Sequence, residues 1–152
     1  MLDSRARTPL DAKVVSDEFA ALTTIVVGRR APQKRVAALA RRVNVLTAPL
    51  TKIMSPAARH PSLDLNWLLK KLGAENVTSL LVEGGGEVNA SFLLGGFAQR
   101  VAFLYAPKIL GGRDSRKGVG GDGAKSLNEI IRLRDVEWRR LGEDLLLTAR
   151  VD

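Results

Sequence analysis

A carboxylate followed by three glycines is the part of this chain whose residue types best suit ligand chemistry. Glu83 follows a short apolar run at residues 80–82 and precedes the glycines at 84–86. The apolar run predicts a buried strand, and an amphipathic helical pattern begins at Glu87 or Val88. A strand, a glycine turn and a helix in this order bring backbone N–H groups and a helix N-terminus up to an anion. The segment therefore indicates a nucleotide or phosphate site at the carboxyl end of a strand.

The glycines have a second explanation, because a tight turn alone also favours glycine. The pattern is not G-x-G-x-x-G, since Asn89 stands where the third glycine would be, and no Gly-Lys-Ser/Thr follows as in a P-loop. On spacing alone, both explanations stay open.

The composition fits one soluble domain, or most of one. The chain has 152 residues, a hydrophobic fraction of 45% and no cysteine, which excludes disulfides, thiolate metal sites and cysteine nucleophiles. No apolar run is long enough for a membrane span and no signal-peptide core is present, so we expect a cytoplasmic protein without a membrane partner. The net charge is +8, but the basic residues are scattered in pairs and aromatic residues make up 5%. We therefore expect no nucleic-acid partner; a site for phosphorylated small molecules and a merely solvated basic surface both stay open.

Alternating strand and helix patterns predict a mixed α/β sheet flanked by helices. Strands are predicted at residues 24–27, 43–46, 80–82 and 101–105, with a terminal hairpin of residues 136–141 and 145–151. Helices are predicted at residues 33–42, from Ser62 or Asp64 to Gly73, and from Glu87 or Val88 to the glycines at 95–96. The glycine-rich residues 111–123 are predicted to form a long mobile loop, of the kind that often covers ligands.

Four motifs occur together, in order and at similar spacing, in one protein family. They are LDSR with TPL (residues 2–10), LVEGGG (81–86), YAPKILGG (105–112) and LGEDLLL (141–147). Over nearly its whole length the chain resembles the reductase domain of the bifunctional riboflavin-biosynthesis deaminase/reductase. The resemblance implies a dihydrofolate-reductase-like fold. It also implies the NADPH-dependent reduction of 5-amino-6-(5-phosphoribosylamino)uracil to 5-amino-6-(5-phosphoribitylamino)uracil.

The same resemblance implies roles for particular residues. Glu83 matches the family position that contacts the substrate, and Ser4 matches a cofactor-contacting serine. The segment that lies against NADPH in the family corresponds here to Gly85, Gly86, Glu87, Val88, Asn89, Ala90 and Ser91. The nicotinamide would supply a hydride to C1 of the opened ribosyl group, while the protein supplies orientation and electrostatics. The structural alternatives are a strand-end cap for Glu83 and a simple turn for Ser4.

The sequence assigns neither a general acid nor metal ligands. His60 is the single histidine and is expected to be an exposed residue of a proline-bounded loop. The resemblance further implies a phosphorylated pyrimidine substrate and a homodimer, with the 101–105 strand and the terminal hairpin as expected interface elements.

The front of the family domain, with its Ser-Leu-Asp-Gly-type and Asp-Asp-Pro segments, has no counterpart in this sequence. We therefore expect a sheet that lacks its N-terminal strands and an unpaired apolar edge at residues 80–82. The chain is then a piece of a longer protein, a half-domain completed by a partner or by self-association, or a degenerate reductase. In the last case it would keep a non-catalytic cofactor-binding or oligomerising role. We favour the first interpretation.

Overall fold

The computed structural model describes residues 1–51, 62–112 and 114–152, and the chain divides into two compact units, Met1–Ser79 and Leu80–Asp152. The first unit contains helices α1 (Lys13–Ser16), α2 (Gln33–Ala40) and α3 (Leu65–Ala74), strands β1 (Thr24–Gly28) and β2 (Asn44–Ala48), and a 3-10 turn at Ala20–Leu22. The second contains helix α4 (Gly86–Leu94), strands β3 (Arg100–Tyr105), β4 (Leu133–Leu141) and β5 (Asp144–Val151), and a 3-10 turn at Leu127–Glu129. His60 and its predicted loop lie outside the described residues.

Strand β1 organises the first unit because it hydrogen-bonds on both sides. It pairs in parallel with β2 along its whole length. On its other side the N-terminal residues run beside it: Val26 N–H donates to Met1 O at 2.8 Å, and Asp3 N–H donates to Val26 O at 2.9 Å. A strand with neighbours on both edges and covered faces is apolar throughout. Its buried core residues are Ile25, Val26 and Val27.

Helix α3 begins where an aspartate caps it. Asp64 accepts a hydrogen bond from Trp67 N–H at 2.9 Å, which satisfies one of the free donors of the first turn. This confirms one of the two predicted caps. Gly73 was expected to end the helix but lies inside it. The chain turns at Asn76, with φ 63°, because asparagine tolerates the left-handed conformation better than most residues.

The second unit is built on an antiparallel sheet in the order β3-β5-β4. The predicted terminal hairpin is confirmed as β4 and β5, and its turn contains Gly142 with φ 62°. The central strand β5 carries the buried positions Leu147 and Ala149. Strand β4 is exposed along its length.

The predicted buried strand at residues 80–82 is wrong. These residues are in no strand, and Leu80 and Leu81 are 48% and 80% exposed. A strand exists only through hydrogen bonds to a neighbour, and no strand in the described residues pairs with this segment. Leu80 and Leu81 therefore stay exposed just before the glycines at 84–86, and Val82 is half-buried.

The longest helix that the structure describes, α3, has ten residues. No helix in the described ranges has the length and apolar character needed to cross a membrane.

Candidate functional site

The three glycines at 84–86, before and at the start of α4, differ in what a side chain at each position would contact. A Cβ added at Gly84 would lie 2.6 Å from the Cβ of Val88, and one added at Gly86 would collide with the carbonyl oxygen of Lys117. A Cβ at Gly85 would meet nothing within 4 Å. None of the three has a positive φ, so close approach rather than turn conformation explains the first and third. Gly85 is the position at which the backbone lies open to a ligand.

Part of the glycine-rich loop, residues 117–121, packs on the first turns of α4. Three hydrogen bonds hold it there: Gly120 N–H to Gly86 O at 2.9 Å, Asn89 Nδ2 to Gly118 O at 2.8 Å, and Gly121 N–H to Glu87 Oε1 at 3.2 Å. The sequence predicts a long mobile loop here, of the kind that often covers ligands; in the structure its residues 117–121 lie against the helix N-terminus through these bonds.

We expect Gly86→Ala to destabilise the second unit by about 1–3 kcal/mol, because the new methyl group overlaps the Lys117 backbone and must displace the loop. Hydrogen exchange should quicken at the Gly120 amide, which donates to Gly86 O. Gly85→Ala is the matched control, since its methyl group enters open space. Equal melting temperatures and equal exchange in the two variants would contradict the packing of this loop on α4.

The N-terminus of α4 presents backbone N–H groups that are available to donate hydrogen bonds to an anion. The backbone N–H groups of Gly86 and Glu87 have no acceptor among the described residues, whereas the next two amides donate to Gly85 O at 2.9 and 3.0 Å. Free N–H groups and the helix dipole together favour a phosphate at such a terminus. The open face of Gly85 leaves room for it, so these residues fit the phosphates of a dinucleotide.

Glu83 is exposed, and its carboxylate makes no hydrogen bond or ion pair with another described residue. Glu83 therefore forms no strand-end cap within the part of the chain that the structure describes. A carboxylate without an internal partner is available to accept hydrogen bonds from a ligand's hydroxyl or amino groups.

Other residues of the predicted cofactor segment use their side chains inside the second unit. Val88 packs over Gly84, Ala90 is 3% exposed, and Ser91 Oγ donates to Glu87 O at 2.7 Å. The backbone at Gly85 is the part of this segment with open space around it.

Ser4 lies in the first unit, in a turn at the carboxyl end of β1. Its carbonyl accepts from Gly28 N–H at 3.1 Å, and a Cβ on Gly28 would lie 3.0 Å from that same oxygen. Ala6, in the same turn, has φ 53° and a fully buried methyl group. This left-handed conformation is uncommon for a residue with a side chain, and its neighbours Arg5 and Arg7 are exposed.

Asp3 holds this turn together. Its carboxylate accepts hydrogen bonds from Thr8 N–H at 2.7 Å and Thr8 Oγ1 at 2.6 Å. Burial alone would raise the pKa of Asp3. Hydrogen bonds from the Arg7 backbone, from the Thr8 side chain and backbone, and from the Arg5 backbone outweigh burial, and the pKa lies below the ordinary 3.8.

We expect Asp3→Asn to lower the free energy of unfolding at pH 7 by about 1 kcal/mol, because bonds to a charged acceptor become bonds to a neutral one in a partly exposed site. The lowered pKa means that the carboxylate stabilises the fold at pH values above 3.8, and that this contribution is lost as the pH falls through the folded-state pKa. The difference between wild type and variant in urea unfolding should therefore shrink at acidic pH. Asp11→Asn serves as an exposed control. A gap that stays constant down to acid pH would contradict this role.

A cavity of about 660 Å³ opens beside the turn. Its lining residues are Ser4, Arg5, Arg7, Arg30, Pro32, Arg35 and Leu50. They come from chain segments that follow the N-terminal residues, β1 and β2, so the cavity lies at the carboxyl edge of the parallel strands. Ligands bind at this edge in open α/β sheets.

Sequence reasoning singled out Ser4 but missed the four arginines. They are spread along the chain, and only the folding of the first unit collects them. The available signal was that Arg5 and Arg30 each lie in a turn shortly after an extended segment.

No group of three or more His, Cys, Asp or Glu side chains in the described part of the chain is arranged to hold a metal ion.

The sequence matches one known domain family over almost its whole length: the family model described as the RibD C-terminal domain matches residues 1–147. The chain belongs to this family. The resemblance drawn from the four motifs is thereby confirmed.

Two relatives illustrate how far the RibD C-terminal domain similarity extends. The chain is 38% identical over 151 residues to the 2,5-diamino-6-ribosylamino-4(3H)-pyrimidinone 5′-phosphate reductase of Methanothermobacter thermautotrophicus, with 99% of this chain and 64% of that protein covered. It is 34% identical over 145 residues to the riboflavin biosynthesis protein RibD of Actinobacillus pleuropneumoniae, with 95% and 36% covered. The chain therefore spans less than two thirds of the length of either relative.

A solved structure of RibD from Acinetobacter baumannii has the same fold. The TM-score is 0.68 at 20% sequence identity, over 99% of this chain and 36% of that one. Reductase domains of RibD have the dihydrofolate-reductase-like fold, so the predicted mixed α/β fold class is confirmed.

Proposed function

We propose that this RibD C-terminal domain reduces the ribosyl group of a phosphoribosylaminopyrimidine with NADPH. The observation that carries the proposal is the open N-terminus of α4: Gly85 has free space above it, two backbone N–H groups have no acceptor among the described residues, and the unpartnered Glu83 precedes them. The family membership supports the same activity, because a relative of 38% identity is named as such a reductase.

Each group of residues has its own part in this reaction. The Gly86 and Glu87 amides hold a phosphate of the dinucleotide, and Gly85 lets the backbone approach it. Glu83 orients the substrate by accepting hydrogen bonds, and Ser4 contacts the cofactor. When bound, NADPH supplies a hydride to C1 of the opened ribosyl group; a proton taken up with it completes the two-electron reduction to the ribityl group.

The pyrimidine ring of the substrate has two candidate forms. The sequence resemblance points to 5-amino-6-(5-phosphoribosylamino)uracil. The Methanothermobacter relative is named for the 2,5-diamino-pyrimidinone, which carries an amino group in place of the 2-oxo group. Because an amino group donates hydrogen bonds and an oxo group accepts them, a site built for one form rejects the other.

The test is turnover, followed as loss of NADPH absorbance with each pyrimidine phosphate in parallel. Mass spectrometry of the product should show the gain of two hydrogens. NADH in place of NADPH tests cofactor selectivity. A folded sample that neither binds NADPH nor reduces either compound would refute the enzyme proposal and favour a non-catalytic, oligomerising role.

We also propose that the domain self-associates through the sheet of the second unit. Leu104, Tyr105 and Trp138 are 62%, 49% and 59% exposed, and the centroids of the two aromatic rings lie 6.0 Å apart. Exposed apolar clusters of this kind mark interaction surfaces. Sedimentation velocity of the purified chain distinguishes a dimer from a monomer.

A further inference from the structure

A short strap, residues 117–121 of the glycine-rich loop, lies on the first turns of α4 in close contact with them. A Cβ added at Gly120 would lie 2.5 Å from Glu87 Oε1, and one added at Gly121 would lie 3.1 Å from the Cβ of Ala90. Glycine at these two positions lets the strap backbone approach the helix more closely than other residues could. The strap is therefore fitted to the surface of the helix.

Two side chains of α4 hold the strap in this position. Asn89 Nδ2 donates to Gly118 O at 2.8 Å, and Glu87 Oε1 accepts from Gly121 N–H at 3.2 Å. Both side chains belong to the segment that the family resemblance assigns to the cofactor. Their bonds to the strap give them a positioning role that the resemblance does not supply.

The strap is able to leave the helix because little apolar surface holds it there. None of its residues is buried: Val119 and Gly120 are half-buried, and the other three are exposed. A segment held by exposed hydrogen bonds and few buried contacts opens at a low cost in free energy. On either side lie Gly112 with φ 94° and Gly123 with φ 65°, each with open space around it. Such residues can absorb the backbone rotations of a hinge.

The closed strap borders the free donors of α4. The carbonyl oxygen of Lys117 lies against Gly86, where an added Cβ would collide with it, whereas Gly85 keeps open space. A phosphate on the amides of Gly86 and Glu87 would therefore have the strap beside it and its open side at Gly85. Loops that close beside a bound ligand in this way slow its release.

We propose that residues 117–121 open and close over the N-terminal turn of α4, with Asn89 and Glu87 as the positioning residues of the closed state. We further propose that the closed strap prolongs the residence of a phosphate-bearing ligand at this turn. The movement is a property of the second unit itself. The ligand half of the inference rests on the proposed function, which supplies the dinucleotide.

The test compares Asn89→Ala with Asn128→Ala. Asn89 bonds to the strap, whereas Asn128 is exposed in the 3-10 turn of the same unit. Alanine has the highest helix propensity, so Asn89→Ala leaves α4 itself intact. We expect amide hydrogen exchange at Gly120 and Gly121 to quicken about three- to ten-fold in Asn89→Ala, as the loss of one hydrogen bond predicts. Asn128→Ala should leave it unchanged, and exchange in β5 should be the same in both variants.

Trypsin gives a second measure of the same opening. Arg116 and Lys117 are exposed where the strap begins, and cleavage there follows the population of the open form when closing is fast. Cleavage after Lys117 should quicken in Asn89→Ala by a factor similar to that of the exchange. Equal exchange and equal cleavage in Asn89→Ala and Asn128→Ala would overturn the proposal. Should Asn89→Ala fail to fold, Glu87→Ala removes the acceptor of Gly121 N–H and repeats the comparison.

The release of NADPH tests the ligand half. Stopped-flow displacement gives its dissociation rate constant for wild type and both variants. We expect this rate to rise in Asn89→Ala by the same factor as the exchange, and bound NADPH to slow exchange at Gly120 in wild type. An open strap with an unchanged dissociation rate would overturn the ligand half. If folded wild type binds no NADPH, the proposed function fails, and the exchange and trypsin comparisons, which need no cofactor, still decide whether the strap opens as proposed.

Discussion

Replacing Gly85 with leucine should raise the Kd for NADPH at least roughly 100-fold while the protein stays folded. The side chain would stand in the open space above the first amides of α4 and keep a phosphate from reaching them. A 100-fold loss corresponds to about 2.7 kcal/mol, which is comparable with losing one or two hydrogen bonds to a charged group. The backbone tolerates the change, because Gly85 has φ −75° and a Cβ there meets nothing within 4 Å.

Gly73→Leu is the control for this prediction, since Gly73 also has open space around it and lies in α3 of the first unit. Calorimetric titration with NADPH and a melting curve should be recorded for both variants. Normal NADPH affinity in a folded Gly85→Leu protein would show that the α4 terminus does not hold the cofactor. A fall in melting temperature confined to Gly85→Leu would instead indicate that the space at Gly85 is needed for folding.

Replacing Glu83 with glutamine should lower kcat/KM roughly 10- to 100-fold without changing the Kd for NADPH. Glutamine keeps the shape but loses the charge, and hydrogen bonds to a charged acceptor are worth about 1.5–3 kcal/mol against about 1 for neutral ones. Stability should change by less than about 0.5 kcal/mol, because Glu83 is exposed and has no partner among the described residues.

Glu143→Gln is the matched control for Glu83, as it removes the same charge from an exposed turn of the same unit. Steady-state kinetics and cofactor titration on both variants separate substrate from cofactor effects. If Glu83→Gln weakened NADPH binding and left the KM of the substrate unchanged, the carboxylate would belong to the cofactor site instead.

Elements with strong local signals were predictable from the sequence. The β-branched run of β1, the spacing of leucines in α3 with its Asp64 cap, and the hairpin around Gly142 are all encoded within a few neighbouring residues. Their boundaries are close to those expected, since helix caps and hairpin turns act over short sequence distances.

The apolar run at residues 80–82 shows that a local sequence pattern does not by itself specify a paired strand. Its apolar composition is that of a strand, but a strand also needs a partner, and pairing is a property of the whole sheet. The structure leaves this segment unpaired among the described residues, with Leu81 80% exposed. Residues 80–82 therefore form an irregular, largely exposed segment before the glycines.

The sequence by itself determined the family and the order of most elements, and it singled out Glu83 and the glycines at 84–86 as a candidate site, because these inferences depend on residue type and short spacing. Only the tertiary structure distinguished Gly85, which lies open, from Gly86, which the loop at 117–121 covers. Only the tertiary structure brought the four arginines together around the cavity of the first unit. There Arg35 of α2 donates hydrogen bonds to the carbonyls of Ala6 and Thr8, nearly thirty positions earlier in the chain. Contacts between residues so far apart depend on how strands and helices pack, and no local pattern in the chain specifies that packing.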